Sequence, residues 1–314
     1  MAKTKIIIGS RGSELALWQS NFIKKELEKL NKNVFIEIKI IKTKGDKILD
    51  VALSKIGDKS LFTKELEVEL LNKKIDVAVH SLKDLQTKLP DGLIIGAVPK
   101  RHSVEDVIIA RKKGTTLSNL RENAVIATGS LRRRSQILHF RPDIKIEELR
   151  GNVPSRIQKF LASDWDGIIL AKAGVERLKL NKFISSVISS DQIVPAVGQG
   201  ALCVEVLEEN KIVRDIVFPL HDENTFTAVI AERGLLRKLE GGCQVPIGAL
   251  AEVKPNGLYL NAYVGTIDGS LTFRSSSRGS KTDPEKLGII SAENLLKAGA
   301  RSVLDEIYKT GRIK

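Results

Sequence analysis

The chain contains two blocks in which a short apolar strand, a Gly/Ser turn and an amphipathic helix follow one another in the same order. In the first block, residues 5–9 predict a buried strand and residues 10–13 a turn, and the apolar spacing that follows predicts a helix. Residues 124–127, 128–130 and 131–140 repeat this plan. Duplication is one explanation, and the recurrence of common α/β units is the other. Either way, the order predicts parallel-rich sheets that bind ligands at the carboxyl ends of their strands.

The length of 314 residues suits two domains of ordinary size or three small ones. We expect a first lobe made of residues 1–100 and 201–218, because an apolar strand at 201–206 can return to the first sheet. Residues 104–194 form the second lobe, and a cleft between the lobes is the expected ligand site. Five lysines and two glycines within residues 42–60 predict a mobile lid on the first lobe.

The last hundred residues predict a separate α+β domain at 222–314. An amphipathic helix at 225–239 ends in two glycines, and a final helix is expected at 292–308. Three alternating apolar segments joined by hairpin-type turns predict a three-stranded sheet between these helices. The three segments are residues 249–253, 258–264 and 271–275. The predicted fold class is therefore α/β, with two lobes, a central cleft and a C-terminal α+β domain.

The net charge indicates an anionic partner. The chain has 51 lysines and arginines against 38 acidic residues, which leaves +13. A solvated lysine coat, nucleic acid and an acidic small molecule can each explain this excess. Nucleic acid is disfavoured because only 4% of the residues are aromatic and no zinc-finger or RRM signature occurs. An acidic small molecule requires arginines at ligand-facing turns.

Several classes of protein are disfavoured by what the sequence lacks. Cys203 and Cys243 are the two cysteines, too few for a disulfide framework, and no Cys/His spacing indicates a metal site, so a reducing, cytoplasmic setting is expected. The apolar run at residues 6–8 is too short for a signal peptide, and no stretch is long enough to span a membrane. No P-loop, dinucleotide-binding fingerprint or nucleophile elbow occurs, which disfavours nucleotide cofactors and serine hydrolysis.

The predicted strand ends carry arginines. The turns at 9–13 and 128–130 precede helix N-termini, which are ready anion sites, although Ser13 and Ser130 can equally be ordinary N-caps. A cation in the first turn opposes the helix dipole, so an anionic ligand would offset that cost. Several converging guanidiniums favour a ligand with several carboxylates or phosphates. The arginines at strand ends are Arg11, Arg132, Arg133, Arg150, Arg156 and Arg177.

Three further residues have more than one interpretation. Asp84 follows the predicted strand at 75–79 and is either a candidate catalytic acid or a turn residue. His80, at the end of that strand, is expected to be packed or hydrogen-bonded rather than catalytic. Cys243 follows a helix C-terminus, which does not lower a thiol pKa, so it suits a thiol that is alkylated once or a buried structural cysteine. Cys203 lies in an apolar strand and is expected in the core.

Six motifs resemble those of the porphobilinogen deaminase (hydroxymethylbilane synthase) family. They occur in the family's order over nearly the whole chain, and several are too long to match by chance. They are residues 10–19 (SRGSELALWQ), 79–84 (VHSLKD), 129–133 (GSLRR), 149–152 (LRGN), 195–200 (PAVGQG) and 240–246 (EGGCQVP). Gly129 and Gln86 depart from the family pattern, where a hydroxyl residue and a proline are common.

The resemblance implies two lobes like those of periplasmic binding proteins and a third domain that carries the cofactor. It also implies a transferase of haem biosynthesis that joins four porphobilinogen molecules head to tail with loss of ammonia. Water then releases linear hydroxymethylbilane. The family's dipyrromethane cofactor would be held by a thioether at Cys243, and the catalytic carboxylate would be Asp84. A cytoplasmic monomer that binds no metal, nucleic acid or membrane is expected.

The resemblance also assigns the remaining site residues of the chain. Those expected to bind the cofactor besides Cys243 are Lys83, Thr128, Ser130, Arg132, Arg133, Gly151 and Asn152. Those expected to bind substrate are Arg11, Ser13, Gln19, Ser81, Arg150, Arg156, Ala171, Arg177 and Gln199. The lid residues are Lys55, Lys59 and Phe62.

Overall fold

The computed structural model describes residues 4–47, 61–240 and 245–310. These residues fall into two compact units. The first unit holds residues 4–47, 61–102 and 200–226. The second holds residues 103–199, 227–240 and 245–310.

The N-terminal part of the first unit alternates strands and helices. In chain order these are β1 (Thr4–Ser10), α1 (Glu14–Leu30), β2 (Val34–Ile40), α2 (Lys44–Lys47), α3 (Lys64–Leu71), β3 (Val77–Ser81) and β4 (Leu93–Ala97). A 3-10 turn, Leu82–Asp84, directly follows β3. A turn follows β1 and a 3-10 turn follows β3, as the sequence predicts.

The α/β part of the second unit repeats this alternation. Its elements are β5 (Asp106–Ala110), β6 (Val125–Ala127), α4 (Leu131–Phe140), β7 (Lys145–Glu147), α5 (Val153–Leu161), β8 (Gly167–Ala171), α6 (Lys172–Arg177) and β9 (Ile184–Ile188). The chain then returns to the first unit with β10 (Leu202–Leu207) and α7 (Lys211–Val217). The return of this strand to the first sheet is confirmed.

The two five-stranded sheets have the same topology. The first has the order β2-β1-β3-β10-β4 and the second the order β7-β6-β8-β5-β9. In each sheet the first three strands are parallel and the fourth is antiparallel to both of its neighbours. The related design predicted for the two blocks is thus confirmed in strand order and direction.

Both faces of the first sheet are covered by apolar side chains. Ile23 and Leu27 of α1 pack with Ile6 and Ile8 of β1 on one face. The opposite face, with Ala78 of β3, packs against Leu66 and Leu70 of α3. Strand β10 is buried along its whole length, which accounts for its apolar residues at every position but Glu205 and for the full burial of Cys203.

The C-terminal part of the second unit contains the predicted three-stranded sheet. Helix α8 (Glu223–Lys238) is followed by β11 (Ile247–Lys254), β12 (Gly257–Gly265) and β13 (Thr272–Gly279), which pair antiparallel in this order. Apolar residues of α8 pack against this sheet, and so do those of α9 (Pro284–Leu295) and α10 (Arg301–Thr310). The α/β class and the separate three-stranded sheet are confirmed.

The prediction of one final helix at 292–308 is wrong in its start and in its continuity. Helix α9 begins earlier because the Asp283 side chain accepts a hydrogen bond from the Lys286 backbone N–H, and Pro284 occupies the first helical position. A π-helical turn at Leu296–Ala300, with Gly299 at φ +114°, separates α9 from α10. In the part of the chain that the structure describes, no helix is long and apolar enough to cross a bilayer.

Candidate active site

One group of predicted site residues lies in the first unit, where β1 leads into α1. The Ser13 hydroxyl accepts a hydrogen bond from the Ala16 backbone N–H at 3.3 Å, so this serine is the N-cap of α1. Gln19, one turn further along α1, donates from Nε2 to the Ser81 hydroxyl at 2.8 Å. This bond links α1 to the end of the neighbouring parallel strand β3.

The end of β3 places a carboxylate at the same edge of the sheet. Asp84 closes the 3-10 turn after β3 and lines a small cavity. The Arg11 guanidinium stacks over the Phe62 ring at 4.1 Å from the ring centroid and faces the same cavity. The predicted site residues that line this cavity are Arg11, Ser13, Gln19, Phe62, Ser81 and Asp84.

The cavity therefore combines opposite charges and neutral donors. Arg11 and the N-terminus of α1 can bind an anionic group, whereas the Asp84 carboxylate can accept a proton or stabilise a cation. Lys83 is exposed beside Asp84 and is not among the residues that line the cavity. His80 also lines the cavity and is hydrogen-bonded and buried, as predicted.

A second group of predicted site residues lies at the end of β6, in the second unit. The Thr128 hydroxyl accepts a hydrogen bond from the Ser130 backbone N–H at 3.2 Å, and the Ser130 hydroxyl accepts one from the Arg133 backbone N–H at 3.4 Å. Ser130 is thus the N-cap of α4, in the same position as Ser13 in the first unit. N-capping accounts for both serines, without excluding a ligand at these helix ends.

The structure shows one further residue beside Arg132 and Arg133 that was not predicted from the sequence, namely Asp106. Its carboxylate bonds Arg132 Nη2 at 2.8 Å through Oδ2 and Arg133 Nη2 at 2.7 Å through Oδ1. Gln199 donates from Nε2 to Oδ1 at 3.0 Å. All four side chains are buried. Asp106 is therefore an anion that offsets the two first-turn arginines.

The charge of Asp106 is stabilised by this arrangement. Burial alone would raise the pKa of its carboxyl, but the guanidiniums of Arg132 and Arg133 outweigh burial and hold the pKa well below its usual range. The sequence contained one signal for this residue, an acid at the head of the apolar run 106–110. A buried charge in that position needs a cationic partner.

The guanidiniums of Arg132 and Arg133 are only partly neutralised by Asp106. The remaining Nη atoms donate to the carbonyls of Val194 at 2.7 Å and Ile169 at 3.0 Å. The Nε of each arginine has no hydrogen-bond partner among residues 4–47, 61–240 and 245–310. Two cations share one carboxylate, so a surplus of positive charge remains at this strand end.

Two neighbouring strand ends add further donors. After β7, Asn152 caps α5 by accepting from the Ser155 backbone N–H at 2.9 Å, and Arg156 donates from Nε to the Gly151 carbonyl at 2.7 Å. Gly151 has φ +113°, a conformation that favours glycine. Burial lowers the pKa of Arg150 in the same loop.

The third strand end is that of β8. Ala171 is the last residue of this strand and precedes α6, which ends at Arg177. Arg177 is buried, and burial lowers its pKa to about 10, against the opposing effect of Glu176. The parallel strands β6, β7 and β8 therefore carry all the predicted second-lobe residues at or after their carboxyl ends, apart from Gln199.

The departure from the family pattern at Gly129 has a steric explanation. A Cβ atom at this position would lie 2.7 Å from the carbonyl oxygen of Leu149. Because this oxygen belongs to the backbone, its displacement would cost more free energy than the displacement of a flexible side chain. Here the turns after β6 and β7 approach each other closely. Gly129 is therefore needed by the packing of this turn.

Several predicted residues lie outside the part of the chain that the structure describes. They are Cys243, the proposed point of cofactor attachment, and the lid residues Lys55 and Lys59. Their roles stay predictions. The same holds for the substrate and cofactor contacts of the residues placed above, because the geometry gives their positions and not their ligands.

These features define an α/β enzyme that acts on a small molecule rich in carboxylates, with one carboxylate of its own available for proton transfer. Residues 6–215 match the family model "Porphobilinogen deaminase, dipyromethane cofactor binding domain", and residues 226–297 match "Porphobilinogen deaminase, C-terminal domain". The chain belongs to the porphobilinogen deaminase family, which confirms the resemblance found in its sequence.

Similar proteins span the whole chain. The porphobilinogen deaminase of Carboxydothermus hydrogenoformans is 50% identical and is aligned over 98% of both chains. That of Desulforamulus reducens is 50% identical over 97% of this chain and 98% of its own. Among solved structures, a TRAP periplasmic solute binding protein from Desulfovibrio salexigens aligns over 70% of this chain and 73% of its own, with 9% identity and a TM-score of 0.43.

The residues present fit the family's dipyrromethane cofactor. Such a group carries several carboxylates, and the donors at the ends of β6 and β7 are suited to them: the buried arginines with partnerless Nε atoms, the Thr128 and Ser130 hydroxyls and the Asn152 cap. A surplus of buried positive charge is costly without an anionic partner. A carboxylate-bearing cofactor would stabilise this part of the second unit.

Proposed function

We propose that this chain joins four molecules of porphobilinogen head to tail with loss of ammonia, and that water then releases linear hydroxymethylbilane. The observation that carries the proposal is the cavity at the ends of β1 and β3, where Asp84 lies with Arg11, Ser13 and Gln19. A carboxylate next to an anion-binding turn suits a substrate that is acidic at its side groups and becomes cationic at its ring.

Asp84 is the proposed catalytic residue. The aminomethyl group leaves in its protonated form: when its C–N bond breaks, the electron pair leaves with nitrogen as ammonia and the pyrrole becomes a cationic, electron-poor azafulvene. A carboxylate beside the pyrrole N–H stabilises this developing charge and can take up a proton. The methylene carbon then bonds to the free α-carbon of the terminal pyrrole of the growing chain, and that α-carbon loses its proton.

The arginines are proposed to bind the acetate and propionate groups of the substrate and the growing chain. Arg11, Arg150, Arg156 and Arg177 would contact substrate carboxylates, together with Ser13, Gln19, Ser81, Ala171 and Gln199. A planar guanidinium can bind a carboxylate through two parallel hydrogen bonds, which fixes the orientation as well as the charge. This assignment gives the strand-end arginines a common role.

The cofactor is proposed to be held by a thioether at Cys243. Lys83, Thr128, Ser130, Arg132, Arg133, Gly151 and Asn152 would bind its carboxylates and orient it. When bound, the dipyrromethane supplies the free pyrrole α-position at which chain growth starts. Arg132 and Arg133 can serve it through their surplus charge while Asp106 keeps both guanidiniums in place.

The organisation of the chain follows from the same proposal. We divide it into a lobe of residues 1–100 and 201–218 with a lid at 42–60, a second lobe at 104–194 and a cofactor-carrying domain at 222–314. The change from one family model to the other between residues 215 and 226 supports the last boundary. We further propose that the protein is a cytoplasmic monomer that binds no nucleic acid. Multi-angle light scattering can test the monomeric state, and a DNA-binding assay can test the absence of nucleic-acid binding.

Intact-mass spectrometry tests the cofactor assignment. The purified protein should exceed its sequence mass by one covalent dipyrrole, and Cys243→Ser should remove this increment. Cys203→Ser is the matched control, because Cys203 is the buried core cysteine and its replacement should leave the increment in place. A wild-type protein with no added mass and no product from porphobilinogen would contradict the enzyme assignment and favour a non-catalytic anion-binding protein.

Turnover of porphobilinogen tests the role of Asp84. Asp84→Ala should retain the fold and lose nearly all activity, because the developing positive charge then has no carboxylate partner. Asp91→Ala removes an exposed carboxylate nearby in the sequence and should leave turnover unchanged. Substantial residual activity in Asp84→Ala would reject the assigned role.

A further inference from the structure

A buried histidine–carboxylate pair lies at the wall of the cavity that contains Asp84. His80 Nε2 and Glu205 Oε2 are 3.0 Å apart, and their side chains are only 4% and 0% exposed. The second carboxylate oxygen of Glu205 has no hydrogen-bond partner in the described parts of the chain. The imidazole is therefore the hydrogen-bond partner of this carboxylate among the residues that the structure describes.

The strand register explains how the pair forms. On β10, Cys203 lies opposite His80 of β3 and Glu205 lies opposite Ala78, so His80 and Glu205 are diagonal neighbours on one face of the sheet. This is the face that α3 covers. An acid in a fully buried strand is costly unless it is paired, and this pairing places the His80 ring beside the cavity.

A second buried acid approaches from α3. Burial raises the pKa of Glu67; the Thr63 hydroxyl lowers it, and the nearby Glu205 carboxylate raises it further. Glu67 therefore retains its proton more readily than an ordinary glutamate. Since Nε2 faces Glu205, it carries the ring proton, and Nδ1 is the nitrogen that can accept another.

We propose that His80, oriented by Glu205, is a second proton-transfer residue of this active site, and that Glu205 is its positioning residue. This inference rests on the proposed function. In each addition the new C–C bond uses an electron pair of the terminal pyrrole, and the α-carbon then releases a proton. That proton passes to Nδ1 of His80 and from there to water.

Asp84 and His80 have different proposed roles because of their charges. Asp84 stabilises the azafulvene best while it is ionised, and a carboxylate that has just taken up a proton cannot stabilise the next cation. When neutral His80 takes up the proton, it forms a neutral ion pair with Glu205 rather than an isolated buried cation. The reaction step therefore removes an uncompensated buried charge at the cavity wall.

Other titratable residues lie on the elements around the pair. Glu65 and Glu67 lie on α3, Cys203 on β10, Arg11 on the turn after β1, and Asp84 on the turn after β3. Glu205 is hydrogen-bonded to Nε2 of His80. Its removal should therefore change the ring's tautomer, whereas changes at the other positions should alter only the surrounding field.

Two variants of the cofactor-loaded protein test the inference. Glu205→Gln keeps the shape of the side chain and removes its charge, and Glu67→Gln is the matched control at a buried acid of the same cluster. We expect Glu205→Gln to lower kcat at least about tenfold with KM nearly unchanged, and His80→Gln to lower kcat by about 10²- to 10⁴-fold. Glu67→Gln should lower kcat far less, because it keeps the size of the side chain and leaves the hydrogen bond between His80 and Glu205 in place.

The ring itself provides an independent readout. Nitrogen-15 NMR of the wild-type protein should show His80 as the tautomer with the proton on Nε2, and Glu205→Gln should change this signature. Wild-type His80 with its proton on Nδ1 would overturn the inference even if neither variant folds. Equal losses of kcat in Glu205→Gln and Glu67→Gln would also overturn it. An inactive wild-type protein would instead contradict the proposed function.

Discussion

Replacing Asp106 by asparagine should destabilise the second unit severely. The variant keeps the size of the side chain but leaves the Arg132 and Arg133 guanidiniums, each 5% exposed, without their shared negative charge. Breaking one buried ion pair costs about 3–5 kcal/mol. Because two cations lose the same partner, we expect a loss toward the upper end of this range, or roughly 10³- to 10⁴-fold in the folding equilibrium.

Urea unfolding followed by tryptophan fluorescence measures this loss. The chain has two tryptophans, Trp18 in the first unit and Trp165 in the second, so a Trp18→Phe background reports on the second unit alone. Asp143→Asn is the matched control. Asp143 also bonds an arginine, Arg141 at 2.6 Å, but both side chains reach solvent, so its loss should be far smaller.

The pH dependence of the same transition checks the electrostatic cause. The folded pKa of Asp106 lies below its unfolded value of 3.8, so its stabilisation is present above about pH 4 and is lost as pH falls further. The Asp106→Asn variant should lack this part of the acid destabilisation. A loss in Asp106→Asn no larger than that in Asp143→Asn would refute the reasoning, because the buried charge would then contribute no more than an exposed one.

Three further predictions concern packing, a hydrogen bond and a titration. Gly129→Ala should lower the free energy of unfolding by about 1–3 kcal/mol and also lower turnover, because the added Cβ would collide with backbone. Gly12→Ala, in the corresponding turn of the first unit, is the control. Its Cβ would make only ordinary van der Waals contacts, so the variant should be nearly as stable as the wild type. Tyr308→Phe removes the hydroxyl that donates to the carbonyls of Leu239 and Glu240, so thermal denaturation should show a loss of about 1 kcal/mol. The raised pKa of Glu67 predicts that wild-type stability falls as pH rises above 4.5, and Glu67→Gln should reduce this slope in urea titrations at several pH values.

The strand ends were predictable from sequence because they depend on local signals. Apolar runs, Gly/Ser turns and helical spacing place Arg11, Ser130 and Asn152 after their strands, and the parallel arrangement then gathers them at one edge of each sheet. The N-caps were predictable for the same reason, since capping involves residues only three positions apart.

The polar partners were not predictable, because they depend on tertiary pairing. Asp106 is 26 and 27 residues from its two arginines, and His80 is 125 residues from Glu205. No periodicity specifies which of the 38 acids will pair with which base. The final helix was predicted with the wrong start and as one continuous helix for a simpler reason. The prediction did not take account of the N-cap at Asp283 and the interruption at Gly299.

The position of β10 has a consequence for the order of events during synthesis. Its neighbours β3 and β4 are complete by Ala97, but β10 begins only at Leu202, about 100 residues later. At roughly 5–20 residues per second, translation leaves the facing edges of β3 and β4 unpaired for about 5–20 s. The strands of the second sheet lie between Asp106 and Ile188, so that sheet can form while the first still awaits its fourth strand. The nascent chain therefore exposes two open strand edges that a chaperone can shield, and a ribosome stalled in this interval leaves an aggregation-prone fragment.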